Sequence, residues 1–464
     1  MKQRYENAYA KAAEAGQSHI FKFWGELNEA SRESLLRQAE SMDWQLVTNL
    51  QNELNHKDNS SQNGQRFEPA DAVPISKTDE EIQTAERVRG IGERALRDGK
   101  VGAILVAGGQ GSRLGFDGPK GKFEIGPVTN KSLFQLHAEK LLALGKKYGA
   151  SIPWYIMTSE VNNEETVAYF EENRHFGLKP DDVFIFKQGM APALDENGKL
   201  ILDARDHIFM SPNGHGGIFK GLLDSGACDH MKNAGLEQLF YFQVDNVLLN
   251  MCDPLFLGYH IDQTAEMSAK VVAKSSPEEK VGIIGKFNGR LSVVEYSDMS
   301  REDMYATNDN GKLLFDAGSI AIHVLERKFI EAIAKADYEL PWHVAHKQIP
   351  FVDDSGELVK PSDPNGHKFE MFIFDALGFA EHGVVLEVER QLEFSPVKNA
   401  NGADSPKTAQ RDMSKYFAAW LEKAGFSVAQ DAMIEISALY ALDDAEFLQK
   451  FKGKGMIEGG FAIG

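Results

Sequence analysis

Apolar residues recur at three- and four-residue intervals through the first part of the chain: Ile20, Phe23, Trp24 and Leu27, then Leu35, Leu36 and Ala39, then Leu46, Val47 and Leu50. That rhythm lines one face of a helix and predicts helical structure over residues 4 to about 55. The polar stretch NHKDNSSQNGQRFEPADAVP (55–74) predicts a linker, and a further helix is expected from Asp79 to Arg97. From about residue 100 to 390 the pattern changes. The short apolar runs GAILVAGG, PWYIMTS, DVFIFKQ and LFYFQVDN read as buried strands of parallel type, and SLFQLHAEKLLALGKKY and TVAYFEEN have helical spacing. The pairs Asn197-Gly198, Asn310-Gly311 and Ser355-Gly356 mark hairpins inserted into that framework. The tail, from about 395, shows one helix, Asp412 to Ala424, and a short irregular end. The expected fold class is α/β: an N-terminal helical region and linker (1–98), a mixed-sheet central domain (99–390) and a small C-terminal region (391–464).

At 464 residues the chain exceeds one ordinary core, in keeping with more than one domain. A formal net charge of −19 argues against nucleic acid as a partner. It also means that any anion site must be made locally, from backbone amides and a few cations. Two cysteines, Cys228 and Cys252, are too few for a disulfide framework and lack metal-ligand spacing, so buried free thiols are expected. There is no apolar run of transmembrane length, and the start MKQRYENAYAKAAEAG lacks the apolar segment of a signal peptide. The expectation is a cytoplasmic protein with no membrane partner.

The run LVAGGQGSRLGFDGPKG (105–121) carries the chemistry. Gly108, Gly109, Gly111 and Gly115 follow an apolar strand, Arg113 sits inside the loop, and Pro119 and Lys120 close it. Glycine lets backbone N–H groups approach a ligand closely, and such a loop leaving a strand suits phosphates. It is not a dinucleotide fingerprint, because Leu114 stands at the third glycine position. Nor is it a Walker loop, since Phe116 and Phe123 occupy the positions of the first glycine and the hydroxyl. An NAD-dependent oxidoreductase fails on that spacing. A plain glycine-rich turn leaves the arginine and lysine at opposite ends of the loop unexplained.

The spacing resembles the nucleotide loop of the eukaryote-type UDP-sugar pyrophosphorylases, nearest to the N-acetylglucosamine branch. AGQSHIFKFWGELNEA (15–30), PWYIMTSE (153–160), QGMAPA (188–193), QVDN (243–246), VVEYSD (293–298), PNGHK (364–368) and EFSPVKNA (393–400) resemble further blocks of that family, in its order. The resemblance implies a nucleotide-diphospho-sugar transferase (Rossmann-like) central domain. It also implies a fuller β-rich C-terminal domain than this tail shows. The implied reaction joins UTP and a sugar 1-phosphate into a UDP-sugar and pyrophosphate. The attacking phosphate oxygen is already an anion, so the protein must position and neutralise, and no Ser-His-Asp set is needed.

Residue by residue, the resemblance implies that Arg113 and Lys120 neutralise the departing pyrophosphate and Lys398 the sugar phosphate. Val106, Ala107, Gly108, Gly109, Gln188, Gly214, His215 and Asp245 would meet the nucleotide. Gly282, Glu295, Tyr296, Ser319, Lys368, Phe372 and Phe374 would meet the sugar. Asp245, at the end of an apolar strand, is a hard oxygen ligand suited to Mg²⁺ bridging phosphates, or alternatively a helix N-cap. Glu295-Tyr296 would otherwise be a strand edge, Phe372 and Phe374 a core-facing strand, and His215 a turn residue. Two positions depart from the N-acetylglucosamine pattern. His215 stands where asparagine is usual, and Ser319 replaces a sugar-binding asparagine, offering one hydroxyl in place of an amide. These favour a UDP-glucose or broad UDP-sugar pyrophosphorylase as the alternative. A non-catalytic sugar-nucleotide-binding protein would have lost Arg113, Lys120, Asp245 or Lys398, and all four are present.

Overall fold

A computed structural model describes residues 1–56, 67–335 and 340–464. The described chain forms two compact units, each threaded from three stretches. The larger takes in Arg66–Gln188, Phe219–Glu339 and Ala376–Gly464, the smaller Met1–Gln65, Gly189–Ile218 and Leu340–Asp375. Consecutive boundaries at 98/99 and 390/391 do not describe this interleaved arrangement.

The larger unit is built on an eleven-stranded mixed sheet. In chain order its strands are β1 (Phe67–Pro69), β2 (Ala72–Val73), β3 (Val101–Val106), β4 (Trp154–Thr158), β5 (Val183–Lys187), β6 (Gln238–Gln243), β7 (Met267–Ala273), β8 (Ile283–Phe287), β9 (Arg290–Val294), β10 (Ala317–Glu326) and β11 (Val385–Glu387). The spatial order is β2-β11-β7-β10-β6-β3-β4-β5, with β8 joined to β10 and paired with both β1 and β9. Strands β6, β3, β4 and β5 form a parallel block, and β10 is antiparallel to both β6 and β7. The expected mixed sheet is therefore present. The supposed linker departs from expectation: residues 57–66 lie outside the described residues, and 67–69 and 72–73 are edge strands.

The strands β3, β4, β5 and β6 coincide with the apolar runs of the sequence. β3 is buried from Val101 to Leu105, and all of β4 is buried. The helix Leu133–Tyr148 starts at Ser132, whose side chain accepts from the Gln135 amide, and ends at Gly149 with φ 72. The β8–β9 hairpin turns on Asn288-Gly289, both at positive φ, the strongest dipeptide signal for such a turn.

The C-terminal helix runs from Pro406 to Lys423, earlier than expected, because Ser405 caps it and Pro406 takes its first position. The end of the chain is not irregular. Phe426–Val428 pairs in parallel with Gly455–Ile457, and Met433–Ile436 with Gly460–Ile463. Strands of three or four residues are too short to display alternation. Trp420, Leu421, Ile434, Ile436 and Phe447 give them a core of their own.

The smaller unit carries the N-terminal helices Lys2–Glu14, Glu29–Ser41 and Trp44–His56. Ile20, Phe23, Leu27, Leu35, Leu36, Ala39, Val47 and Leu50 are buried there with Leu194, Leu200, Ile208 and Phe369. Gln17, fully buried, donates to the Gly198 carbonyl (2.9 Å) and accepts from the Leu200 amide (2.8 Å), fastening the Asn197-Gly198 turn.

In the larger unit the helix Asp79–Arg97 crosses the helix Pro254–Asp262 at two glycines. A Cβ on Gly92 would lie 1.9 Å from the Pro254 carbonyl oxygen, and one on Gly258 2.0 Å from that of Val88. Both obstacles are backbone, so the helices must separate. Gly92→Ala and Gly258→Ala should each destabilise the fold by about 3 kcal/mol or more, read as a lowered thermal unfolding midpoint, whereas an unchanged midpoint would refute this packing.

Candidate active site

β3 delivers the chain into the glycine loop with its exits already tied. The Ala107 amide donates to the Met157 carbonyl (2.8 Å), and the Val106 carbonyl accepts from the Val244 amide (3.2 Å). Asn162, fully buried, donates through Nδ2 to the carbonyls of Ala107 (2.9 Å) and Gly109 (3.3 Å). Its Oδ1 accepts from the Ser159 amide (2.8 Å). Asn162 is a loop-holding residue that the motif reading missed; only its place in the turn after an apolar strand could have flagged it. The loop closes on itself through Gly111 N–H to Gly118 C=O (2.9 Å) and Lys120 N–H to Gly109 C=O (3.0 Å).

The loop's glycines divide by purpose. A Cβ on Gly121 would sit 2.2 Å from the Phe134 ring and one on Gly111 2.7 Å from Phe116, so packing demands both. Gly109 differs: its φ is not in the left-handed region, and a Cβ there would meet nothing within 4 Å. The amides of Gly108 and Gly109 donate to no acceptor among the described residues. Unused amides on an open glycine make a concavity for an anion. Gln188 belongs to the same spot, its Oε1 lying 3.0 Å from where a Gly108 Cβ would be.

Two residues beyond β6, Asp245 sits in a turn and its carboxylate pairs with Lys120 across 2.9 Å, both side chains largely buried. Asp245 caps no helix; the next helix starts at Pro254 and is capped by Asp253. The segment 393–398 straps this turn down. Asn246 Nδ2 donates to the Glu393 carbonyl (2.7 Å), the Ser395 amide to Asn246 Oδ1 (3.1 Å), and the Val397 amide to the Asp245 carbonyl (3.0 Å). The Glu393 carboxylate accepts from the buried Lys270 ammonium (2.5 Å) and the Asn250 amide (2.9 Å). Lys270 also pairs with Asp253 (2.8 Å), and burial raises the Glu393 carboxyl above its ordinary value. Lys398 leaves this strap exposed, with its ammonium 5.7 Å from the Phe394 ring centre. Arg113 is exposed and has no side-chain partner among the described residues.

No cluster of three or more His, Cys, Asp or Glu suited to a metal occurs among the described residues. The donor set nevertheless fits Mg²⁺, which is commonly held by one or two carboxylates plus substrate phosphates and water. Asp245 offers Oδ1, which takes no donor among the described residues.

Gly282, Glu295 and Ser319 are brought together. The Ser319 amide donates to the Gly282 carbonyl (2.8 Å), and Glu295 Oε1 lies 3.5 Å from where a Gly282 Cβ would be. Glu295 and Tyr296 stand just past the end of β9, not within a strand edge, and Tyr296 is exposed.

In the smaller unit Gly214, at φ +81, could not carry a Cβ, which would fall 2.3 Å from the Met371 carbonyl oxygen. His215 is more than a turn residue. Its Nδ1 accepts from the Ile373 amide (3.1 Å), and its ring stacks on Phe372 (5.2 Å between centroids) beside Phe374 (5.8 Å). Burial lowers its pKa to about 4, so the ring is neutral at pH 7 with its proton on Nε2. Phe372 and Phe374 lie beyond the strand Gly366–Glu370, half-buried with His343, and not on a core-facing strand. Lys368, within that strand, places its ammonium 5.1 Å from the Phe209 ring.

Residues 46–453 match the family model described as UTP–glucose-1-phosphate uridylyltransferase. The chain is 37% identical over 469 residues to the probable UDP-N-acetylglucosamine pyrophosphorylase of Dictyostelium discoideum, covering 96% of this chain and 95% of that one. It is 38% identical to the UDP-N-acetylhexosamine pyrophosphorylase-like protein 1 of Xenopus tropicalis, over 90% of this chain and 85% of that one. The crystal structure of the Trypanosoma brucei uridine diphosphate N-acetylglucosamine pyrophosphorylase in complex with inhibitor superposes with a TM-score of 0.82 at 26% identity, covering 99% and 98% of the two chains.

The open glycine yields a separable test. Gly109→Ala should leave the thermal midpoint unchanged, since its Cβ meets nothing, while weakening nucleoside triphosphate binding about tenfold or more by obstructing close approach. Calorimetric titration of wild type and variant checks it; equal affinities would remove Gly109 from the site.

Proposed function

The chain belongs to the UTP–glucose-1-phosphate uridylyltransferase family, and from that membership we propose that it makes UDP-N-acetylglucosamine and pyrophosphate from UTP and N-acetylglucosamine 1-phosphate. The names of the Dictyostelium, Xenopus and trypanosomal relatives support the N-acetylated sugar. The observation that carries the reaction type is the free-amide loop at Gly108 and Gly109 next to the buried Lys120–Asp245 pair.

The chemistry follows from charge. The sugar phosphate oxygen attacks the α-phosphorus of UTP, forming one P–O bond as the bond to the β-phosphate oxygen breaks, and the pyrophosphate leaves with that electron pair. Developing charge on the leaving fragment needs preorganised donors. The Gly108 and Gly109 amides bind phosphate oxygens, and Lys120 and Arg113 neutralise the pyrophosphate. Lys398 neutralises the sugar phosphate so that two anions can meet. Asp245 would hold Mg²⁺ and keeps Lys120 oriented. When bound, Mg²⁺ supplies further neutralisation of the phosphates. Gln188 addresses the uracil edge, whose donor and acceptors match a side-chain amide. Val106, half-buried at the end of β3, contacts the nucleotide, whereas Ala107 is buried with its amide bonded to Met157 and so holds the loop's entry instead of meeting the ligand. Gly214 and His215 serve the nucleotide, His215 as a neutral Nε2–H donor. Gly282, Glu295, Tyr296, Ser319, Lys368, Phe372 and Phe374 serve the sugar. A cytoplasmic location completes the proposal; among the described residues no helix is long and apolar enough to cross a membrane.

Ser319 favours a second possibility. Its small hydroxyl beside Gly282 and Glu295 leaves the sugar pocket less committed to one 2-substituent, consistent with glucose 1-phosphate or a broad sugar range. A panel of N-acetylglucosamine, N-acetylgalactosamine, glucose and galactose 1-phosphates with UTP, scored by pyrophosphate release, should rank N-acetylglucosamine first. Glucose 1-phosphate turning over faster would install the second possibility, and no release with any of them would end both.

Lys120→Ala should lower turnover by about a hundredfold or more, the scale for losing one charge-stabilising donor; near-wild-type turnover would remove its role. Asp245→Ala should raise the Mg²⁺ concentration needed for half-activation, and an unchanged requirement would reject the ligand assignment.

A further inference from the structure

The helix Leu133–Tyr148 carries two polar side chains, three residues apart and so on one face, that both reach the turn after β6. His137, fully buried, lies with Nε2 3.1 Å from the Val244 carbonyl oxygen. Lys140 donates through Nζ to the carbonyls of Val247 (2.8 Å) and Leu249 (2.9 Å). Asp245 stands between these anchor points. We infer that His137 and Lys140 are positioning residues for the reaction, clamping from the helix side the turn that presents Asp245 to Lys120. This rests on the uridylyltransferase function proposed above.

Neither residue fits a purely stabilising role. Lys140 forms no ion pair with a carboxylate among the described residues; its ammonium is hydrogen-bonded to carbonyls of the turn, with the Glu393 carboxylate acting on it only at longer range. A desolvated ammonium held that way contributes little net stability and is readily exchanged for an apolar side chain. Burial lowers it only to about 8, so it remains an ammonium at pH 7. Burial lowers His137 to about 3, so its ring is neutral and must carry its proton on Nε2 to meet the carbonyl. The ring is also packed against Phe242 of β6, at 5.1 Å between centroids, which fixes its direction. The strap residues Glu393, Ser395 and Val397 hold the same turn at Asn246 and Asp245. The turn is therefore gripped at Val244, Asp245, Asn246, Val247 and Leu249, leaving the Asp245 carboxylate little freedom to drift.

The test compares Lys140→Met, Lys140→Arg and His137→Gln with wild type by amide hydrogen exchange and by kinetics. In Lys140→Met the amides of 244–250 should exchange about tenfold faster or more while those of β3, β4 and β5 keep their rates. kcat should fall about tenfold or more, the scale for a small misplacement of a working group, with the Mg²⁺ concentration for half-activation raised and KM for UTP little changed. Lys140→Arg retains a donor and should recover most of that loss, and His137→Gln, which keeps a donor for the Val244 carbonyl, should stay near wild type in both readouts. Unchanged exchange in Lys140→Met overturns the clamp, as does a uniform rise across the sheet, which marks a general stability role. If wild type releases no pyrophosphate with any sugar 1-phosphate, the proposed function fails, and exchange at 244–250 alone decides the clamp.

Discussion

The parallel register of β6 against β3 is the constraint from which the site follows. Val106 pairs with Gln243, so both strands end at the same level and their following segments emerge side by side. One further bond, Val244 N–H to Val106 C=O, extends the match past the strands. The glycine loop and the Asp245 turn are thereby set against each other at the carboxyl ends of a parallel block, where open α/β sheets bind ligands. Leu239, Phe240, Tyr241 and Phe242 are all buried, so both faces of β6 are packed, and a one-residue slip would exchange Leu239 and Tyr241 with Phe240 and Phe242 between two differently packed layers; that repacking cost enforces the register. Lys120 reaches Asp245 because of that register.

Within this frame the electrostatics are local. A chain of net charge −19 repels a triphosphate at long range. On the proposed function, the attraction for one is short-range: unbonded amides, a lysine poised on one carboxylate and an arginine left exposed. The Lys120–Asp245 pair keeps both charges compensated while desolvated, and each remains available to a ligand that brings opposite charge. A buried pair of this kind is weak as a stability device, which is consistent with a role in binding.

Much of this was legible in the amino-acid order. The strands around the glycine loop and the family were legible, because a buried parallel strand demands a continuous apolar run, and the proximity of the loop to Asp245 follows from where two of those strands end. The supports were not legible. Asn162, His137 and Lys140 act through contacts between segments far apart in sequence, and an asparagine in a turn or a lysine on a helix carries no local mark of that. His215 read as ambiguous because its meaning depends on Phe372 and Phe374, some 160 positions away by sequence number, which stack around it. The paired short strands of the tail were invisible for lack of length. The two interleaved units were equally hidden, since their division depends on which segments pack together and not on composition along the chain.

The most direct test of the central claim is a crystal structure with a non-hydrolysable UTP analogue and Mg²⁺. The account predicts phosphate oxygens within hydrogen-bond distance of the Gly108 and Gly109 amides, with Lys120 Nζ turned from Asp245 toward them. A triphosphate bound elsewhere, with the glycine loop empty and Lys120 still on Asp245, would contradict it.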